Sequence, residues 1–127
     1  MRLLMNDFSH DPAFNLALEE HLLRSAGEDT VMLWRNGPSV IVGRNQNTYA
    51  QIDMQAVQQA ALPVVRRITG GGAVYHDLGN VNYSIIEVAG EGHFGDYARY
   101  CAPILQALGG LGLEVRLSGR NDMELEG

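Results

Sequence analysis

One stretch holds most of the chemistry the sequence offers: Arg66-Arg67-Ile68-Thr69-Gly70-Gly71-Gly72-Ala73-Val74-Tyr75-His76-Asp77. Three consecutive glycines strip every Cβ from a connection between two strands. Successive N–H groups can then converge on an anion, and a ligand can lie against bare backbone. The arginines ahead of the loop supply fixed charge. Because strand side chains alternate, only one of Arg66 and Arg67 faces the loop, where its fork can hold a phosphate or carboxylate through two hydrogen bonds. Thr69 and His76 are placed to add polar contacts to the same ligand. Glycine content alone leaves open the plainer reading, a surface hairpin with solvated arginines.

Other chemistries are excluded or have simpler explanations. All nine basic residues are arginine, and the chain contains no lysine. Schiff-base catalysis and a Walker-type phosphate loop, which both need a lysine, are therefore ruled out. Gly90-Glu91-Gly92-His93-Phe94-Gly95 satisfies GxGxxG literally. The strand before it carries Asn82 and Ser84, however, unlike the apolar first strand of a dinucleotide fold, and too little chain follows Gly95 to complete one. A polar loop leading to a helix cap at Asp96 explains that segment. Cys101 is the single cysteine, so neither a disulfide nor a CxxC site can form. It sits mid-helix beside Ala102 and Pro103, and reads as a small buried hydrophobe more readily than as a nucleophile. His10, His21 and His93 lack ligand spacing and read as structural, which leaves His76.

These residues need elements to position them, and the pattern reads as one continuous α+β unit without repeats or linkers. Asp11-Pro12 supplies a cap and a first-turn proline for a helix to about Ser25. Its apolar stripe is Phe14, Ala17, Leu18, His21 and Leu22, with Glu20 and Arg24 paired on the wet face. Val31–Trp34 and Val40–Val42 read as strands joined in a hairpin through Asn36-Gly37-Pro38. A short helix runs from near Asp53 to before Pro63. Strands follow at Val64–Arg67, Ala73–Tyr75 and Val81–Val88, the last antiparallel and wet on one side. A third helix spans about Asp96 to Leu108 and stops at Gly109-Gly110. Glu114–Leu117 is a strand, and Met123-Glu124-Leu125-Glu126 alternates as another, with Gly127 opening a turn. That last strand is expected to lack its partner, as at the front of a longer fold.

The sequence resembles the lipoate-protein ligase A family along nearly its whole length. Asn15-Leu16-Ala17-Leu18-Glu19-Glu20 looks like that family's first helix. Leu33-Trp34-Arg35-Asn36, together with Val40-Ile41-Val42-Gly43-Arg44-Asn45-Gln46-Asn47, resembles its next strands and loop. The unbroken run from Arg66 to Asn80 is similar to its signature, and Ser118-Gly119-Arg120-Asn121-Asp122 matches a further segment. A signature of that length is far more specific than a lone glycine motif.

The resemblance implies a mixed sheet with flanking helices, like the class II aminoacyl-tRNA synthetases and biotin ligases. It is incomplete at the C-terminus, residues 1–127 being the N-terminal portion of a single catalytic domain. It also implies a two-step reaction: lipoate and Mg-ATP give lipoyl-adenylate, and a lysine of an acceptor domain then takes the acyl group. Those acceptors are the E2 subunits of 2-oxoacid dehydrogenases and the glycine-cleavage H protein. Carried over by position, Arg67 and the backbone of Gly72, Ala73, Val74 and Tyr75 hold the nucleotide phosphates, and Trp34, Gly71 and His76 lie near the acyl group. Asn121 and Asp122 sit close to the adenylate, Asp122 with the Mg2+. The family's lysine falls beyond Gly127, so no catalytic residue lies in this chain. The chain alone is expected to make no lipoyl-adenylate and to need a C-terminal remainder.

Composition fits this reading. Hydrophobic residues make up 46% of the 127 and mean hydropathy is near neutral, enough apolar content for one globular domain. The net charge of -6 disfavours nucleic acid and membrane surfaces as partners. No signal or membrane-spanning stretch is expected, and the default compartment is the cytoplasm. Two other functions are weighed against the ligase. One is an octanoyl or lipoyl transferase working through a Cys101 thioester; the other is a split or truncated fragment that binds without chemistry.

Overall fold

The computed structural model describes residues 1–88, 96–119 and 122–125. They form an α+β fold in two compact units, the first spanning residues 1–88 and the second beginning at residue 89.

The first unit is built from two βαβ crossovers. Strand β1 (Arg2–Asn6) leads through helix α1 (Pro12–Ser25) to the parallel strand β2 (Thr30–Trp34). Strand β3 (Ser39–Val42) leads through two short helices, α2 (Thr48–Gln51) and α3 (Met54–Gln59), to the parallel strand β4 (Val64–Arg66). Parallel neighbours need a long connection of this kind. Antiparallel strands complete each sheet. Strand β5 (Val74–His76) pairs with β3, and β6 (Asn82–Ile86) with β2, giving the orders β4-β3-β5 and β1-β2-β6.

The expected hairpin between Val31–Trp34 and Val40–Val42 therefore does not exist. Both edges of β2 are taken by β1 and β6, and both edges of β3 by β4 and β5. The residues Asn36-Gly37-Pro38 do turn the chain, but they carry it from one sheet into the other. All four residues of β3 are buried because that strand has a core on each side. Ile41 faces a cluster with Leu16, Leu22, Met32, Trp34 and Ile86. Val40 and Val42 face α3 through Val57.

Helix α1 begins as its cap residues require. The Asp11 carboxylate accepts from the amides of Ala13 (2.8 Å) and Phe14 (3.4 Å), and Pro12 occupies the first turn. Glu20 and Arg24 pair at 2.7 Å on its wet face. The buried face, however, is not the stripe the apolar residues define. It runs through Pro12, Asn15, Leu16 and Leu22, while Phe14 is 44% exposed and packs edge-on against Phe8. The i, i+3, i+4 period is right and the phase is wrong, because a polar residue, Asn15, takes a core position.

In the second unit, Asp96 caps α4 (Tyr97–Gly110), and β7 (Val115–Ser118) pairs antiparallel with β8 (Asp122–Leu125). The Met123–Leu125 segment is a strand, as its alternation predicts. It pairs with the preceding strand in a register that sets Ser118 opposite Asp122. The GxGxxG segment Gly90–Gly95, with His93, lies outside the described residues, as do Asn121 and Gly127. No helix among the described residues is long and apolar enough to cross a membrane.

Candidate functional site

The connection from β4 to β5 passes over the end of β3, and that path explains its composition. Gly43 follows β3, and a Cβ placed there would lie 2.0 Å from the carbonyl oxygen of Gly71. The two backbones cross at a separation only glycine permits. Gly71 itself has φ +97°, in the left-handed region.

Two guanidinium groups hold the crossing together. Arg67 donates from Nε and Nη2 to the carbonyl of Gly70 (3.0 and 2.8 Å) and from Nη2 to that of Gly72 (2.9 Å). Arg66 projects the other way, as strand alternation requires. Its Nη1 reaches the carbonyls of Gly43 (2.8 Å) and Gln46 (2.8 Å), and its Nη2 reaches the Thr48 hydroxyl (2.8 Å). Arg67, expected to hold phosphate, is thus engaged by the loop itself. In a planar trans peptide the next N–H points opposite to the carbonyl. Drawing the Gly70 and Gly72 carbonyls toward Arg67 therefore turns the amides of Gly71 and Ala73 away from it. The loop stays exposed from Thr69 to Gly72, and a Cβ at Gly72 would meet nothing within 4 Å.

Beside the loop lies a cavity of about 310 Å³, at the small end of the range for ligand sites. Leu16, Trp34, Ile41 and Val74 give it apolar walls. Arg67, Thr69, His76 and Glu19 add polar groups. Alternation along β5 puts Val74 and His76 on the cavity side, with Tyr75 exposed. Of the residues singled out from sequence, Trp34, Arg67, Thr69, Val74 and His76 line the cavity, and Gly71, Gly72 and Ala73 form the adjoining loop. Asp122 is exposed at the start of β8 in the second unit.

The Trp34 and His76 rings meet edge-to-face at 6.4 Å. The Trp34 Nε1–H donates to the Ser84 hydroxyl (3.3 Å), which in turn donates to the Glu19 carboxylate. That chain accounts for a serine on the inner face of β6. Burial holds the His76 imidazole below its usual pKa, with the Arg67 charge adding to the effect. The ring's Nδ1 meets the Asn36 Nδ2 at 3.1 Å, and Asn36 is fully buried.

Sequence reasoning missed Glu19, Ser84, Asn15 and Asn36 as parts of this site. Asn15 and Glu19 fall one helical turn apart beside Leu16, which is the spacing of a single helix face.

Among the described residues no group of three or more His, Cys, Asp or Glu side chains converges on a point. Cys101 is 6% exposed within α4, a packing position that leaves its thiol little access to an acyl donor.

Known proteins resemble this chain in sequence and in fold. The chain is 41% identical to lipoate-protein ligase LplJ of Bacillus subtilis, over 100% of this chain and 39% of that protein. It is 42% identical to lipoate-protein ligase 1 of Staphylococcus aureus, over 98% of this chain and 39% of that one. It superposes with a TM-score of 0.90 and 29% identity on the bipartite lipoate protein ligase of Thermoplasma acidophilum, studied with its E2 lipoyl domain. That match covers 98% of this chain and 50% of the other. The chain thus spans about two fifths of the length of these curated relatives. The model of the lipoyl protein ligase A/B catalytic domain matches residues 11–127, and the chain belongs to that family.

Proposed function

We propose that the cavity takes the apolar acyl chain of lipoate, with its carboxylate toward the glycine loop, and that the chain serves as the substrate-holding part of an ATP-dependent lipoate ligase. The observation that supports this most is one continuous surface: an apolar pocket under Trp34 and Ile41 that opens, past His76 and Arg67, onto bare backbone. An apolar tail and an anionic head match those two halves.

In the first step a lipoate carboxylate oxygen attacks the α-phosphorus of Mg-ATP. The acyl–phosphate bond forms, the bond to the β-phosphate oxygen breaks, and pyrophosphate leaves. In the second step the amine of an acceptor lysine attacks the acyl carbonyl and AMP departs. The outward amides of Gly71 and Ala73 are placed to receive negative charge as it builds on phosphate, an interaction stronger in the transition state than in the ground state. Arg67 orders those amides and adds positive charge behind them. Val74 and Tyr75 extend the same strand, and Asn121 and Asp122 are assigned to the adenylate. Magnesium enters as Mg-ATP. The acceptors are the lipoyl domains of 2-oxoacid dehydrogenase E2 subunits and the glycine-cleavage H protein, in the cytoplasm.

With no lysine in the sequence, the chain has no ammonium to bridge carboxylate and α-phosphate. Lipoate binding measured by calorimetry is expected for the 127-residue chain. Pyrophosphate release with lipoate and Mg-ATP is expected only after a lysine-bearing C-terminal part is supplied. Normal turnover by the chain alone would refute the division of labour. Absence of lipoate binding by chain and completed enzyme alike would refute the assignment.

A further inference from the structure

The buried amides behind the cavity form a chain that admits one orientation. Asn15 has no exposed surface. Its Nδ2 lies against the backbone carbonyls of Ser9 (3.1 Å) and Arg35 (3.0 Å), and against Oδ1 of Asn36 (3.0 Å). Backbone carbonyls only accept, so the Asn15 atom facing them is the amide nitrogen. The Asn36 atom facing that nitrogen must then be its oxygen, which turns the Asn36 Nδ2 onto Nδ1 of His76 at 3.1 Å. At the far end, Asn6 donates from Nδ2 to Oδ1 of Asn15. The acceptor left over, Oδ1 of Asn6, is buried without a partner. Each amide donates toward His76, and the surplus acceptor sits at the head of the chain.

We propose that the Asn6–Asn15–Asn36 amide chain locks His76 as the neutral Nε2–H tautomer, so that the ring offers the cavity a hydrogen-bond donor and never an acceptor. Asn36 is then a positioning residue acting through His76. A proton on Nδ1 would face the two hydrogens of the Asn36 amide, which cannot rotate without losing its bond to Asn15. The charged side chains lining the same cavity are Arg67 and Glu19. Burial and the Arg67 charge also disfavour the imidazolium. The ligand atom opposite Nε2 must accept: a carbonyl, ester, carboxylate or phosphate oxygen. Naming it the lipoyl oxygen rests on the function proposed above, whereas the tautomer does not.

The test is two-bond proton–nitrogen correlation NMR of the full chain with nitrogen-15 in its histidines. His76 is expected to show a protonated Nε2 and a bare Nδ1. In Asn36→Asp a carboxylate of the same shape accepts on both sides, and the pattern is expected to invert, with the proton on Nδ1 and the ring easier to protonate. An Nδ1–H or mixed pattern in the unmodified chain would overturn the proposal. So would an unchanged pattern in a folded Asn36→Asp chain. If that variant does not fold, the unmodified spectrum decides alone. Failure of the ligase reading would appear separately, as a locked tautomer whose resonances do not move on adding lipoate.

Discussion

At the scale of single residues the glycines divide into two kinds, and the division makes a prediction. At Gly43 an added methyl would sit 2.0 Å from a backbone oxygen and 2.9 Å from a backbone carbon of Gly71, atoms that no side-chain rotation can move aside. At Gly72 it would meet nothing within 4 Å, and the residue does not have a positive φ. Gly43→Ala is therefore expected to cost about 2 kcal/mol or more, as overpacking against backbone does. Gly72→Ala should leave stability within about 0.5 kcal/mol, since alanine also restricts the unfolded chain. Function should sort the other way for Gly72: if the ligand lies on bare backbone there, its methyl weakens nucleotide binding in the completed enzyme while thermal unfolding stays unchanged. A Gly72→Ala enzyme with unaltered nucleotide affinity would place the ligand elsewhere.

Among the elements, what was legible in the sequence was local, and what was not depended on distant partners. The Asp11-Pro12 start of α1, the Asp53 and Asp96 caps and the antiparallel β6 follow from cap chemistry and alternation within a few residues. The phase of α1 did not follow, because Asn15 and Glu19 face inward to serve Asn36 and Ser84, residues supplied by the β2–β3 connection and by β6. Strand β1 went unread, since Leu3 and Met5 are exposed and only its pairing with β2 makes it a strand. The glycine loop was legible by composition, but the bonds that Arg67 makes to it were not, since they depend on the path of the loop over β3, which brings the Gly70 and Gly72 carbonyls to the guanidinium. This gives a test of the element. Arg67→Lys keeps the charge and loses the fork that spans the Gly70 and Gly72 carbonyls. The Arg44 amide, which donates to the Thr69 carbonyl at 2.9 Å, should exchange with solvent faster by on the order of tenfold, the loss of about 1.4 kcal/mol of local stability. The Val57 amide, bonded to Asp53 within α3, is the control and should not change. Equal exchange at Arg44 in both proteins would mean the loop holds its shape without those bonds.

At the scale of the whole molecule, the cavity and Asp122 belong to different units. The residues lining the cavity all fall between Leu16 and Tyr83, in the first unit, whereas Asp122 begins β8 in the second. A molecule with net charge -6 repels an anion at long range, but at physiological salt that field decays over about 8 Å, so only nearby charges discriminate among ligands. Removing the Asp122 charge therefore separates a local role from a global one. If Asp122 acts at the adenylate, Asp122→Asn in the completed enzyme should lower adenylate formation by about tenfold or more, a loss of roughly 1.4 kcal/mol in transition-state binding. Lipoate affinity, measured by calorimetry without ATP, should stay within about twofold, because none of the groups that hold the acyl chain has changed. If lipoate affinity instead fell in step with adenylation, the acyl site could not be confined to the first unit, and the cavity under Trp34 would be only part of it.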